Sequence, residues 1–298
     1  MNIAFLGTGL MGSAMAERVA SSKLKVIKSG TDVGINQIGV YNRSVEKTQK
    51  LKELGAAIYT DPVEAIKSSE VVIIMLSEYS AINEVLFKNS YSDFSGKTVI
   101  MMSTIASEES KALEEKIKSF GGIYLEAPVL GSTPQAKEGS LFILVGGDKE
   151  LAEKYESLFE IMGEYNYLGK VGNASSIKLA LNQMIATETA AISMSLGYLL
   201  NKGIDINPFM NILRKSALYA PTFDKKLNNY LDDNYENPNF PLKHMLKDIK
   251  LIENDFGKAS VNTAVLKSMI ELISSGVEKG FGDNDYSAMF KTFNPDQK

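Results

Sequence analysis

Short apolar runs alternate with amphipathic segments through roughly the first 168 residues, and amphipathic segments alone follow. The run Asn2-Ile3-Ala4-Phe5-Leu6 predicts a strand, and Ser13 to Ala20 continues with helical spacing. Val71-Val72-Ile73-Ile74-Met75 carries no polar alternation, as a parallel strand buried on both faces requires. Further strands are predicted at 37–41, 57–59, 98–102, 123–125, 142–145 and 165–168, with helices at 45–54 and 150–162. Asp61 and Pro62 read as the N-cap and first residue of another helix. From about residue 171 to about 202 the pattern is one long helix, in which Ile177, Leu181, Met184 and Ile185 form the expected apolar stripe. Helices at 207–216, 222–229, 243–256 and 262–278 complete the chain. The pattern predicts an α/β domain, a doubly wound sheet over 1–168, followed by an all-α domain over 169–298, joined by the long helix.

Composition removes whole classes of function. The 298 residues carry 32 basic and 36 acidic side chains, a formal charge of −4, so no nucleic-acid surface is indicated. Cysteine is absent, which excludes disulfides, thiolate nucleophiles and thiolate metal sites. A single histidine, His244, excludes any site needing two; it reads as structural or exposed, and no metal site is expected. No apolar run approaches the ~20 residues of a membrane span, and no signal-peptide pattern opens the chain. A cytoplasmic protein without membrane contact is expected.

Candidate chemistry begins directly after the first strand. Gly7-Thr8-Gly9-Leu10-Met11-Gly12 fits G-x-G-x-x-G between a strand and a helix, the Rossmann fingerprint. Its glycines allow a tight turn and close approach of a pyrophosphate to the helix N-terminus. The second strand ends in Asn42-Arg43-Ser44. No Asp or Glu stands there for a ribose 2′-hydroxyl, whereas Arg43 can pair with a 2′-phosphate and Ser44 can donate to it, which favours NADPH over NADH. The segment 21–36 is longer than the βαβ unit needs and reads in part as a surface insertion. Ligands of doubly wound sheets bind beyond the strands' carboxyl ends. Leu76, Ser77, Ser103 and Thr104 therefore fall where a nicotinamide would lie, and Ser103 is also placed with the substrate. The loop Glu126 to Leu141 offers Gly131 and Ser132, whose backbone N–H groups and hydroxyl can face a carboxylate. Lys178 and Asn182 stand four residues apart on one face of the long helix. Phe240 leads into a helix carrying the adjacent pair Lys247-Asp248, which alone would be a solvated charge pair.

Taken together, Gly7-x-Gly9-x-Met11-Gly12, Tyr41-Asn42-Arg43-Ser44, Ser103-Thr104, Glu126-Ala127-Pro128-Val129-x-Gly131-Ser132, Gly172 through Lys178 to Asn182, and Lys247-Asp248 resemble the β-hydroxyacid dehydrogenase family over nearly the whole chain. The resemblance implies that Lys178 is catalytic, that Asn182 binds substrate, that Gly131 and Ser132 hold its carboxylate, and that Lys247 lies by the cofactor. It implies reduction of small aldehyde acids, or oxidation of the hydroxy acids, with NADP. Gly131-Ser132 followed by Pro134 and Ala136 looks more like the glyoxylate and succinic semialdehyde reductases than the 3-hydroxyisobutyrate or tartronate semialdehyde enzymes, which usually show two glycines. The chain departs from that subgroup at Leu130 and at Thr133-Pro134-Gln135. Imine reduction and a non-catalytic scaffold are the rival readings within the resemblance, and Lys178 counts against both. Surplus apolar pattern at 192–200 and 265–273 predicts a homodimer or homotetramer packed through the helical half.

Overall fold

The structure, a computed structural model, describes residues 1–22 and 34–295. Most of the 21–36 segment read as an insertion falls outside the described residues. The first half runs β1 (Asn2–Leu6), α1 (Leu10–Ser21), β2 (Gln37–Tyr41), α2 (Gln49–Glu53), β3 (Ala57–Tyr59), α3 (Pro62–Lys67), β4 (Val71–Ile74), α4 (Tyr79–Leu86), β5 (Thr98–Met101), α5 (Ser107–Ser119) and β6 (Ile123–Glu126). It continues through β7 (Val129–Leu130), α6 (Thr133–Glu138), β8 (Leu141–Val145), α7 (Lys149–Lys154), α8 (Glu156–Met162) and β9 (Gly163–Tyr167). The helical half comprises α9 (Asn173–Asn201), α10 (Ile206–Leu213), α11 (Pro221–Leu231), α12 (Leu242–Lys258), α13 (Ala264–Glu278) and α14 (Met289–Phe293).

Six parallel strands form one sheet in the order β3-β2-β1-β4-β5-β6. The order reverses between β1 and β4, the switch point at which doubly wound sheets bind ligands. Both faces of the sheet are buried. Ile3, Phe5, Val71 and Ile73 join the core on one side, and Ala4, Leu6, Val72 and Ile74 join that on the other. Full burial of such a side chain contributes about 1.5–3 kcal/mol, so β1 and β4 are firmly fixed and their carboxyl ends make a rigid platform.

The later strands depart from simple alternation. Strands β7, β8 and β9 form a separate three-stranded sheet in which β7 runs antiparallel to β8. The chain doubles back because residues 126–141 are not a plain loop: they contain helix α6, started by Ser132 as N-cap with Gln135 closing a capping box. The helix expected at 150–162 breaks at Tyr155 into α7 and α8, and the one expected at 45–54 begins as a 3₁₀ turn over Val45–Thr48.

The chain divides into two compact units, Met1–Lys178 and Leu179–Lys298. The α/β alternation ends near residue 168, yet the first unit reaches Lys178 because the buried carboxylate of Glu126 holds the first turn of α9. The second unit packs α10 to α14 and the remainder of α9 around Leu196, Met245, Ile249, Met269, Ile273 and Phe290. Among the described residues, no helix is long and apolar enough to cross a membrane.

Candidate active site

The glycine turn after β1 is built as a dinucleotide cradle. Gly7 has φ of +102°, and a Cβ there would lie 2.3 Å from the Met75 carbonyl oxygen. At Gly12 a Cβ would lie 2.1 Å from the Gly7 carbonyl oxygen, so the helix approaches the turn more closely than any side chain permits. Gly9 faces open space, with nothing within 4 Å of a Cβ position. Following it, the first-turn amides of α1, from Leu10, Met11 and Gly12, lack intrahelical acceptors as every helix start does. Thr8 Oγ1 is buried with no hydrogen-bond partner among the described residues, a group that a bound ligand can satisfy. These residues fit a pyrophosphate.

Neighbouring strand ends close around the turn. The Gly7 amide donates to the Tyr41 carbonyl at 2.9 Å, and the Asn42 side-chain amide donates to the Thr8 carbonyl at 3.4 Å. Arg43 is exposed just beyond β2, and Ser44 starts the 3₁₀ turn. At the end of β4 the Leu76 amide donates to Ser103 Oγ at 2.8 Å, and that hydroxyl donates to the Ile74 carbonyl at 3.3 Å. The Ser103 hydroxyl thus ties β5 to β4, and Ser103 is only 4% exposed. Ser77 is exposed and Thr104 half-buried at the same end of the sheet. The structure therefore brings together Gly7, Thr8, Asn42, Leu76 and Ser103 at the switch point.

On α9 the structure corrects the sequence reading. Ile177 and Met184, expected on the packing stripe, are 38% and 54% exposed. Lys178 and Asn182 lie on the buried face instead, at 7% and 8% exposure. Lysine is almost never fully buried without a functional or electrostatic reason; among the described helix lysines only Lys178 and Lys226 are buried, and Lys226, at 5% exposure, is paired with Asp285 at 2.7 Å inside the helical unit. Asn182 Nδ2 donates to Asp248 Oδ2 at 2.8 Å. Because a carboxylate only accepts, this bond fixes the orientation of the amide and leaves its oxygen and second N–H for another partner. The Lys247 ammonium pairs with Asp248 Oδ1 at 2.6 Å. Asp248 is 4% exposed, so Lys247-Asp248 is not a solvated pair.

Two families of known domains cover the chain. Residues 2–172 match the NAD binding domain of 6-phosphogluconate dehydrogenase, and residues 172–293 match the family described as NAD-binding of NADP-dependent 3-hydroxyisobutyrate dehydrogenase. The chain is 33% identical over 295 residues to glyoxylate/succinic semialdehyde reductase 1 of Arabidopsis thaliana, with 98% of each chain covered. It is 34% identical over 297 residues to the chloroplastic reductase 2 of the same plant, covering 98% of this chain and 79% of the relative. The chain belongs to the β-hydroxyacid dehydrogenase family. The fold agrees: a 3-hydroxyisobutyrate dehydrogenase from Salmonella typhimurium matches with a TM-score of 0.82 at 17% identity, covering 98% of this chain and 99% of that one. As a β-hydroxyacid dehydrogenase the protein is an oxidoreductase of the NADP-using kind.

Other predicted residues of this dehydrogenase have more local partners. Gly131 takes φ of +134°, and Ser132 gives both its amide and its hydroxyl to Gln135 Oε1, at 3.0 and 2.7 Å. Next to it Thr133 Oγ1 is buried with no hydrogen-bond partner among the described residues. Phe240 packs against the His244 ring, with centroids 6.5 Å apart, and against Tyr286 at 5.9 Å. Burial, then the ammonium groups of Lys247 and Lys243, push the His244 pKa below its ordinary value, so the ring is neutral at pH 7. Two residues gained no role from sequence: Asp248, which orients Asn182, and Glu126. Both were visible only as letters within motifs. Their significance is burial of a carboxylate, which no local pattern announces.

Proposed function

We propose that this protein reduces a small aldehyde acid, glyoxylate or succinic semialdehyde, to the corresponding hydroxy acid with NADPH. The observation that carries the reading is the buried pair Lys178 and Asn182, one turn apart on the same face of α9. The names of the Arabidopsis relatives support the substrate class. When bound, a reduced nicotinamide supplies the hydride. Lys178 donates a proton to the aldehyde oxygen as it becomes an alkoxide and stabilises its charge, roles that typically supply ~10² to 10⁴ in rate. Asn182, oriented by Asp248, binds the substrate, and its carboxylate is received by the Gly131 backbone and by Ser132, whose amide and hydroxyl turn to it from Gln135 Oε1. The cradle from Gly7 to Gly12 holds the cofactor, with Leu76, Ser77 and Thr104 beside the nicotinamide, and Lys247 takes the cofactor-binding role that the family resemblance implies. Phe240 walls the substrate, and Ser103 acts through its amide-binding hydroxyl at the strand ends.

An NADPH-oxidation screen tests the substrate. Glyoxylate and succinic semialdehyde are expected to give the highest kcat/KM among a set that includes methylmalonate semialdehyde, tartronate semialdehyde and a cyclic imine. A preference for methylmalonate or tartronate semialdehyde would move the enzyme to the 3-hydroxyisobutyrate type, and turnover of the imine alone would reject aldehyde reduction.

The same reading includes self-association through the helical half. Met184, Met194 and Tyr198 are 54%, 58% and 61% exposed along one side of α9, an apolar surface of the kind that marks interfaces. A second copy is the expected occupant. Sedimentation at micromolar concentration should give a dimer or tetramer, and Met194→Glu with Tyr198→Glu should shift it toward monomer; a wild-type monomer contradicts the assignment.

A further inference from the structure

Glu126, at the end of β6, is fully buried, and each group bonded to its carboxylate is a donor. Its Oε1 accepts the Gly172 and Ala174 amides at 2.7 and 2.8 Å and the Ser175 amide at 3.4 Å. Its Oε2 accepts the Ser175 hydroxyl at 2.6 Å and the Ser110 hydroxyl at 2.7 Å. Ser110 spends its only proton on Glu126, so in the 2.9 Å contact with Tyr124 the phenol is the donor. Burial pushes the Tyr124 pKa well above its ordinary value, which keeps that phenol protonated. Room for the carboxylate comes from Gly146, where a Cβ would lie 2.6 Å from Oε1.

Capping alone does not call for this arrangement. A helix start is ordinarily satisfied by a short Ser, Thr, Asp or Asn at the N-cap, whereas a buried charge is expensive unless every lone pair is used. Glu126 reaches α9 at two different places. The amide bonds fix where the helix begins along its axis. The Ser175 hydroxyl is on the side of the helix, so its bond fixes rotation about that axis. Ser175, Lys178 and Asn182 follow at i, i+3 and i+7, on one face, and all three are buried.

We propose that Glu126 is a positioning residue for the reaction, locking the rotation of α9 so that Lys178 is presented in a single orientation. The inference rests on Lys178 being the proton donor. Displacing a reacting group by about 1 Å costs on the order of 10²-fold, so loss of the rotational tie alone should be visible in turnover.

The test compares two hydroxyl deletions that each remove one bond to Glu126 Oε2. Ser175→Ala, which breaks the tie to α9, is expected to lower kcat about tenfold with little change in NADPH affinity. Ser110→Ala, which leaves α9 attached, should stay within about twofold. The Glu126→Gln variant, close to isosteric, should follow Ser175→Ala. In a Lys178→Ala background, Ser175→Ala should cause no further loss, because both act through one group. If Ser175→Ala and Ser110→Ala lower Tm alike and leave kcat unchanged, Glu126 merely caps the helix and the proposal fails. It also fails if Ser175→Ala lowers the residual rate equally with and without Lys178. Failure of the Lys178 assignment is separate, since it would show in Lys178→Ala alone.

Discussion

Lys178→Ala is expected to lower kcat by about 10²- to 10⁴-fold, the usual contribution of a positioned proton donor, while NADPH affinity from a fluorescence titration stays the same. The physical basis is the burial of Lys178, 7% exposed, on the face that also carries Asn182. A charge removed from water acts on a developing oxyanion far more strongly than an exposed one. Asn182→Ala should behave differently, raising KM for the acid by about tenfold with kcat changed much less, because in the proposed mechanism it holds substrate in ground and transition states alike. The two variants together separate chemistry from binding. Retention of most of kcat by Lys178→Ala, with substrate and cofactor still bound, would remove the lysine from the mechanism.

How this pair is placed shows where sequence reading succeeds and where it stops. The switch point was legible because each component is local: an apolar run, three glycines at fixed spacing, and a helix start, all within residues 2–20. The β-branched run at Val71–Ile74 was equally plain, since a strand buried on both faces has no polar positions to disguise it. Orientation of α9 was not legible. Its buried face combines Lys178, Asn182, Thr189 and Ser193 with Leu179, Ala186 and Leu196, so apolar residues occur all round and periodicity does not single out the packed side. Of the expected stripe Ile177, Leu181, Met184 and Ile185, the first and third are exposed, while Leu181 is half-buried and Ile185 packs against the helical core. Helix α6 did carry a signal, the Ser132-x-x-Gln135 spacing with a proline in the first turn, masked by the small residues around it. Glu126 and Asp248 carried none, because what distinguishes them is which donors the folded chain delivers to a buried carboxylate.

In the proposed reading cofactor choice rests on the end of β2, and Arg43→Glu is expected to raise KM for NADPH by about ten- to a hundredfold, the worth of charge-assisted hydrogen bonds to a phosphate. Three side chains stand at that end. The Asn42 amide is engaged by the Thr8 carbonyl at 3.4 Å and serves the glycine turn. Ser44 begins the 3₁₀ turn and makes no side-chain cap bond to it, so its hydroxyl can serve a ligand. Arg43 is exposed and brings the only positive charge among Tyr41, Asn42, Arg43 and Ser44. An arginine binds a phosphate bidentately, and no acidic residue is present at these positions to take a ribose 2′-hydroxyl. A glutamate at 43 would repel the 2′-phosphate and accept from the hydroxyl of NADH, so the NADPH-to-NADH ratio of kcat/KM should fall further than KM for NADPH alone indicates. Because Arg43 is far in role from proton transfer, kcat at saturating cofactor should remain within a few-fold. A wild-type enzyme preferring NADH, or an Arg43→Glu variant whose KM for NADPH is unaltered, would overturn this assignment and transfer phosphate recognition to another cation.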